Sequence, residues 1–168
     1  TKDYKKANYW YKKAGEKGDA DAMFNLAYNY YKGRGTTKDY EKANHWYKKS
    51  AEKGNSSASY NLGFNYENGM GLTKDYKKAN YWYRKAAEKG YSNAMLNLGY
   101  NYYKGRGITK DYEKANYWYK KATEKGNAIA MHNLGVNYEN GTGVKKDEER
   151  SNYWYKKAKE NGYTDDSN

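Results

Sequence analysis

SNAMLNLGYNYYKGRGITKDYEKANYWYKKATEKG, residues 92–126, is the stretch whose reading decides the fold. Ala94, Leu98, Gly99 and Tyr102 fall on one stripe of a helix. Gly105 and Gly107 end that helix, because a left-handed turn suits a residue without Cβ. Thr109 or Asp111 then opens a second helix, with the Asp carboxylate favoured at the positive end of the helix dipole. Tyr112, Ala115, Trp118, Tyr119 and Ala122 share one face of it, and Gly126 stops it. The small Gly99 and Ala115 let the two helices approach closely, with Trp118 and Tyr119 filling the space around them.

This helix pair is copied along the chain. The five tryptophans, Trp10, Trp46, Trp82, Trp118 and Trp154, recur every 36 residues. Asp3, Asp39, Asp75, Asp111 and Asp147 keep the same period, as do Leu26, Leu62, Leu98 and Leu134. Such a period marks a solenoid, in which each repeat buries its apolar face against its neighbours. The spacing predicts an all-α fold of about nine helices in one array of residues 1–168. Residues 1–18 form the second helix of a truncated repeat, 19–54, 55–90, 91–126 and 127–162 are full repeats, and 163–168 are a tail. A second period of 72 residues lies over the first, since the turns read YYKGRG at 30–35 and 102–107 but YENG at 66–69 and 138–141.

Composition supports packing over disorder. A mean hydropathy of -1.45 taken alone suggests a disordered chain. Aromatics make up 18% of it at fixed spacing, however, and each buried ring contributes on the order of 4–6 kcal/mol before entropy. There is no Cys, hence no disulfide framework, and no Pro to interrupt helices. No apolar run reaches membrane-spanning length and no signal peptide is visible. The chain starts at Thr1 inside a repeat, which suggests an excised fragment. Each end of such an array exposes a face that a further repeat would cover, so end-to-end self-association is an expectation.

The pattern Ala94, Leu98, Gly99, Tyr102, Gly105, Gly107, Asp111, Lys114, Ala115, Trp118, Tyr119, Lys121, Ala122, Glu124, Gly126 resembles the Sel-1-like repeat, a relative of the tetratricopeptide repeat. The resemblance implies a right-handed α-solenoid of antiparallel helix pairs, with first helices on the concave surface and second helices on the convex one. It also implies an adaptor that binds proteins. Ala27 stands in place of the Gly, Ser151 in place of an Ala, and Asn29, Asn65, Asn101 and Asn137 where an apolar residue is commoner.

Helical geometry turns Ala22, Met23, Leu26 and Tyr30 inward and leaves an open side rich in aromatics. The candidate partner-binding residues on that concave face are Phe24, Tyr28, Tyr31, Tyr60, Phe64, Leu96, Tyr100, Tyr103 and His132. Beside them runs a column of Asn25, Asn61, Asn97 and Asn133, whose amides can pair with a peptide backbone or with the adjacent helix. The expected partner is a protein or peptide segment, held by aromatic anchors and a few polar groups.

The net charge of +12 resides on the second helices, since the first-helix segments 19–35, 55–71, 91–107 and 127–143 together carry none. The Trp stripe is expected to face inward, with the pairs Lys12 and Lys13, Lys48 and Lys49, Lys120 and Lys121, and Lys156 and Lys157 opposite it. Binding of nucleic acid or anionic membrane through that basic face is the alternative reading, but a convex array offers no groove for a strand. No catalytic constellation, cofactor motif or metal cluster is evident, and His45 and His132 each stand alone. Some disulfide-bonded relatives are described as binding penicillin-like substrates; the absence of Cys argues against carrying a hydrolase activity over. Asn55 and Asn140 begin glycosylation sequons, which matter only in a secreted protein.

Overall fold

The computed structural model describes residues 3–164. Among them it contains nine helices and no strand. The chain divides into two compact units, Thr1–Ala86 and Ala87–Asn168. The first holds α1 (Tyr4–Glu16), α2 (Ala20–Lys32), α3 (Tyr40–Glu52), α4 (Ser56–Asn68) and most of α5 (Tyr76–Glu88). The second holds α6 (Ser92–Lys104), α7 (Tyr112–Thr123), α8 (Ala128–Asn140) and α9 (Glu148–Glu160). In the first unit α2 packs most extensively on α3 and also on α1; in the second, α6 packs on α7 and α8 on α9.

Helix boundaries follow from side-chain chemistry. Asp39 and Asp111 accept the backbone N–H three residues on, each at 2.9 Å, and so cap α3 and α7. The capping residue of the second helix is therefore Asp rather than Thr109. Asn55 and Asn127 cap α4 and α8 in the same way. First-type helices end on a left-handed glycine, as at Gly33 and Gly105, both with φ of 71°. The next glycine of the turn does more than cap. At Gly35, Gly71 and Gly143 a Cβ would lie within 2.7 Å of the backbone at Tyr4, Tyr40 and Tyr112 respectively. Each turn thus rests on the start of the preceding second-type helix, and a side chain there would push the two apart.

Tyrosine, more than tryptophan, fills the space between paired helices. Tyr47, Tyr83 and Tyr119 are 1%, 0% and 2% exposed. The rings of Tyr83, Tyr119 and Tyr155 lie against Gly63, Gly99 and Gly135, where a Cβ would come within 2.7 Å. The inward Trp stripe needs correction. Trp46 is buried, its ring against Gly15 and Met23; Trp82, Trp118 and Trp154 are half-buried; and Trp10 is 63% exposed. Trp118 borders an open hollow of about 510 Å³ with Ala87, Met95 and Lys125. Lys49 also leans over the Trp46 ring, Nζ 4.9 Å from its centroid, rather than pointing away from it.

The asparagines at apolar positions form a relay. Asn29, Asn65 and Asn137 donate to the side-chain oxygens of Asn8, Asn44 and Asn116, each at 2.7 Å. Those residues in turn donate to the carbonyls of Arg34, Met70 and Thr142 at 2.7 to 2.8 Å. Three elements are tied by each relay: a first-type helix, the second-type helix before it, and the turn that follows the first. Asn55 is engaged as well, accepting from Ala58 N–H and donating to Asp21 Oδ1, both at 2.8 Å.

Candidate partner-binding surface

In the first unit the open side of α2 and α4 is a half-buried aromatic surface. Phe24 leans on Tyr47 at 5.8 Å between centroids and stacks with Tyr28 at 6.3 Å. Tyr31 meets the edge of Tyr40, and its hydroxyl donates to Met70 Sδ at 3.7 Å. Tyr60 tilts onto Tyr83, whose hydroxyl donates to Glu67 at 2.6 Å. Phe24, Asn25 and Tyr28 line a hollow of about 600 Å³ together with Tyr4, Tyr11 and Arg34. Phe64 and Asn61 are half-buried on the same side of α4.

In the second unit Tyr100 is the most open of the candidate residues, at 37% exposure, while Leu96, Asn97 and Tyr103 are half-buried. Tyr100, Tyr103, Asn133 and Val136 line a hollow of about 180 Å³, with Tyr119 at its floor. The Tyr119 hydroxyl shares a hydrogen bond with Asn133, and its burial pushes its titration upward. Burial does the same to Tyr47, with Tyr31 and Tyr28 adding to the shift. His132 packs on Tyr155 at 5.3 Å and stacks on Tyr163 at 4.2 Å, so its ring is committed to aromatic contacts. Asn25 and Asn133 thus both line hollows, and Asn133 in addition bonds the core Tyr119.

Sequence reading treated Arg34 and Arg106 as turn residues only. In the structure the Arg34 guanidinium lies 5.2 Å from the Tyr28 centroid, and Arg106 lies 4.9 Å from that of Tyr100. Lys32 and Lys104 sit over the same two rings, each at 5.8 Å. The 72-residue period carried this signal, because these cations recur with it and not with the shorter one. Among the described residues, no group of three or more His, Asp or Glu is placed to hold a metal ion, and no helix is long and apolar enough to cross a membrane.

Comparison with known proteins places these features. A family model described as Sel1 repeat matches residues 1–19, 20–55, 56–91, 92–127 and 128–163. A Sel1 repeat protein from Oxalobacter formigenes is 39% identical over 98% of this chain and 68% of its own, with a TM-score of 0.94. A protective antigen of uropathogenic Escherichia coli strains, with an SLR fold, is 38% identical over 93% of this chain, with a TM-score of 0.90. The chain spans about a third of that antigen, 33% of its length. Helicobacter pylori cysteine rich protein B is 30% identical over 77% of this chain and 92% of its own, with a TM-score of 0.61. A search of curated proteins gives no match.

Proposed function

The chain belongs to the Sel1 repeat family, whose members serve in general as protein-interaction scaffolds, and from that premise we propose that it is a non-enzymatic adaptor. It holds a peptide or protein segment on the open face of its first-type helices. The observation that carries this reading is the lining of the two hollows. Phe24 and Tyr28 in one unit, and Tyr100 and Tyr103 in the other, present ring surface to solvent beside the amides of Asn25 and Asn133. Aromatic anchors next to groups that can donate and accept are what an extended peptide requires.

The test replaces Tyr28, Phe64 and Tyr100 together by Ala. Peptides selected from a random display library on the unaltered protein should lose binding to this variant while its helical circular dichroism is retained. Undiminished binding would refute the site.

A second reading rests on Tyr9, Tyr81, Tyr117 and Tyr153, each 53% to 54% exposed on second-type helices that carry the excess positive charge. Electrostatic binding of nucleic acid or anionic lipid through that face requires steep salt dependence, lost on Lys48→Gln with Lys49→Gln. End-to-end self-association is supported by the 63% exposure of Trp10 on α1. A monomeric mass at millimolar concentration would dismiss it.

A further inference from the structure

The two units each contain one small arrangement of side chains, and it differs between them at a single position. In the second unit the hollow of about 180 Å³ lies wholly between residues of α6, α7 and α8. Six of its seven lining residues, Tyr100, Tyr103, Lys104, Tyr119, Asn133 and Asn137, have the same residue type 72 positions earlier, at Tyr28, Tyr31, Lys32, Tyr47, Asn61 and Asn65. The seventh is Val136, where the first unit has Phe64. The walls are built alike within each unit. Tyr31 meets Tyr40 at 5.2 Å between centroids, and Tyr103 meets Tyr112 at 5.1 Å. Lys32 lies 5.8 and 5.3 Å from the rings of Tyr28 and Tyr31, and Lys104 lies 5.8 and 5.4 Å from those of Tyr100 and Tyr103. Asn65 and Asn137 each donate at 2.7 Å to the preceding second-type helix. With walls so nearly alike, the difference is one of side-chain size. Phe64 carries a ring where Val136, half-buried at the same turn of its helix, carries two methyl groups.

We infer that the hollow of the second unit is a socket for one phenylalanine ring of a bound peptide, a ring that the first unit supplies from its own Phe64. This rests on the adaptor reading above and specifies one residue of its partner. Size agrees, since an apolar cavity of about 150 Å³ takes a benzene molecule. So does the character of the walls. Tyr100, Tyr103 and Tyr119 offer ring faces and edges, against which another ring packs more favourably than its area alone accounts for. Phenylalanine suits the socket better than tyrosine, because the polar groups beside it are already paired. The Tyr119 hydroxyl shares its bond with Asn133, and the Asn137 amide donates to Asn116 at 2.7 Å, so a further hydroxyl would have to compete with them. Lys104 is the one charged residue of the lining. Its ammonium rests over Tyr100 and Tyr103 and meets no carboxylate among the described residues, so the residue flanking the phenylalanine is acidic rather than basic.

The experiment titrates the whole chain, labelled with nitrogen-15, with the blocked hexapeptide acetyl-Gly-Ser-Asp-Phe-Ser-Gly-amide. Counterparts carry Ala or Tyr for the Phe, or Lys for the Asp. The Phe peptide should bind at least about tenfold more tightly than the Ala peptide, as for an anchor side chain that has lost its pocket, and more tightly than the Tyr peptide. Amide shifts should concentrate at residues 100–104 and 133–137. Val136→Phe fills the socket from within and should bind the Phe and Ala peptides alike while keeping its helical circular dichroism. Should that variant not fold, Val136→Leu takes its place and should weaken the preference for Phe. The converse change, Phe64→Val, opens the same space in the first unit and should add shifts at residues 28–32 and 61–65. A preference for Phe that is undiminished in the position-136 variant, or Phe64→Val without new shifts, would overturn the socket. Equal binding of the Phe and Ala peptides to the unaltered chain, or binding of neither, would overturn it too. The open-face reading then stands if library peptides still lose binding to the Tyr28, Phe64, Tyr100 variant, and falls if they do not. A Tyr peptide that binds more tightly than the Phe peptide would overturn the choice of ring, and a Lys peptide that binds as tightly as the Asp peptide would overturn the acidic flank.

Discussion

Replacing each tryptophan and its following tyrosine by alanine tests the packing order derived above. By sequence the five tryptophans are equivalent; by structure they are not. Trp46 is 8% exposed, so Trp46→Ala should cost about 3–5 kcal/mol, the range for deleting a buried aromatic. Trp118 is half-buried beside a hollow that opens to solvent, so its loss leaves little enclosed cavity and should cost roughly half as much, about 2 kcal/mol. Trp10 is 63% exposed and should cost below about 1 kcal/mol. Tyr47 and Tyr119, at 1% and 2% exposure, should each cost about 3–5 kcal/mol, so that Tyr119→Ala is worse than Trp118→Ala. Urea unfolding followed by far-ultraviolet circular dichroism avoids reliance on the fluorophore being removed. Midpoints and slopes should be compared together, because repeat arrays can lose two-state behaviour. Equal losses for Trp10→Ala and Trp46→Ala, or a milder effect for Tyr119→Ala than for Trp118→Ala, would refute the reasoning.

Asn65→Ala should cost about 1–3 kcal/mol by stranding the buried Asn44 side-chain oxygen, and a cycle with Asn44→Ala should show coupling above about 0.5 kcal/mol. Gly143→Ala should destabilise more than Gly162→Ala in the same unfolding assay. Both have positive φ, 63° and 87°, but only Gly143 has backbone where the Cβ must go. The caps Asp39, Asp75 and Asp111 titrate below the usual carboxylate range, chiefly because backbone N–H groups bond them. Their stabilisation is therefore present above about pH 4 and is lost as pH falls through the lowered native values, which an acid melting series should show, weakened in Asp111→Asn. Tyr47 and Tyr119 are shifted the other way by burial, so their stabilisation holds below about pH 10 and fades above it. Tyr47→Phe should flatten the alkaline loss of stability in a pH-dependent urea series.

Much of the fold was legible from residues 92–126, because a 3.6-residue stripe, an acidic cap and a glycine stop are local signals. The candidate site was legible only in part. Helical geometry found Phe24, Tyr28 and Tyr100, but it could not say that Phe24 would lean on Tyr47, or that Asn133 would share a bond with Tyr119. Arg34 was missed, since a turn residue gives no periodic hint of the ring it will cover. Asn29, Asn65 and Asn137 stand where an apolar residue is commoner, and only their partners, 21 residues earlier in each case, give the reason by completing a relay.

The sequence by itself determined the helices, their pairing and the repeat, since each follows from spacing within a few turns of chain. It also determined which helices carry the charge. Only the tertiary structure decided which of two adjacent aromatics is the core residue. Trp118 and Tyr119 are neighbours on one helix, so local periodicity allows both to face inward; burial depends on what the facing helix leaves vacant. Gly99 leaves room for Tyr119 and nothing closes over Trp118 to the same extent, whereas Gly15 makes space for Trp46.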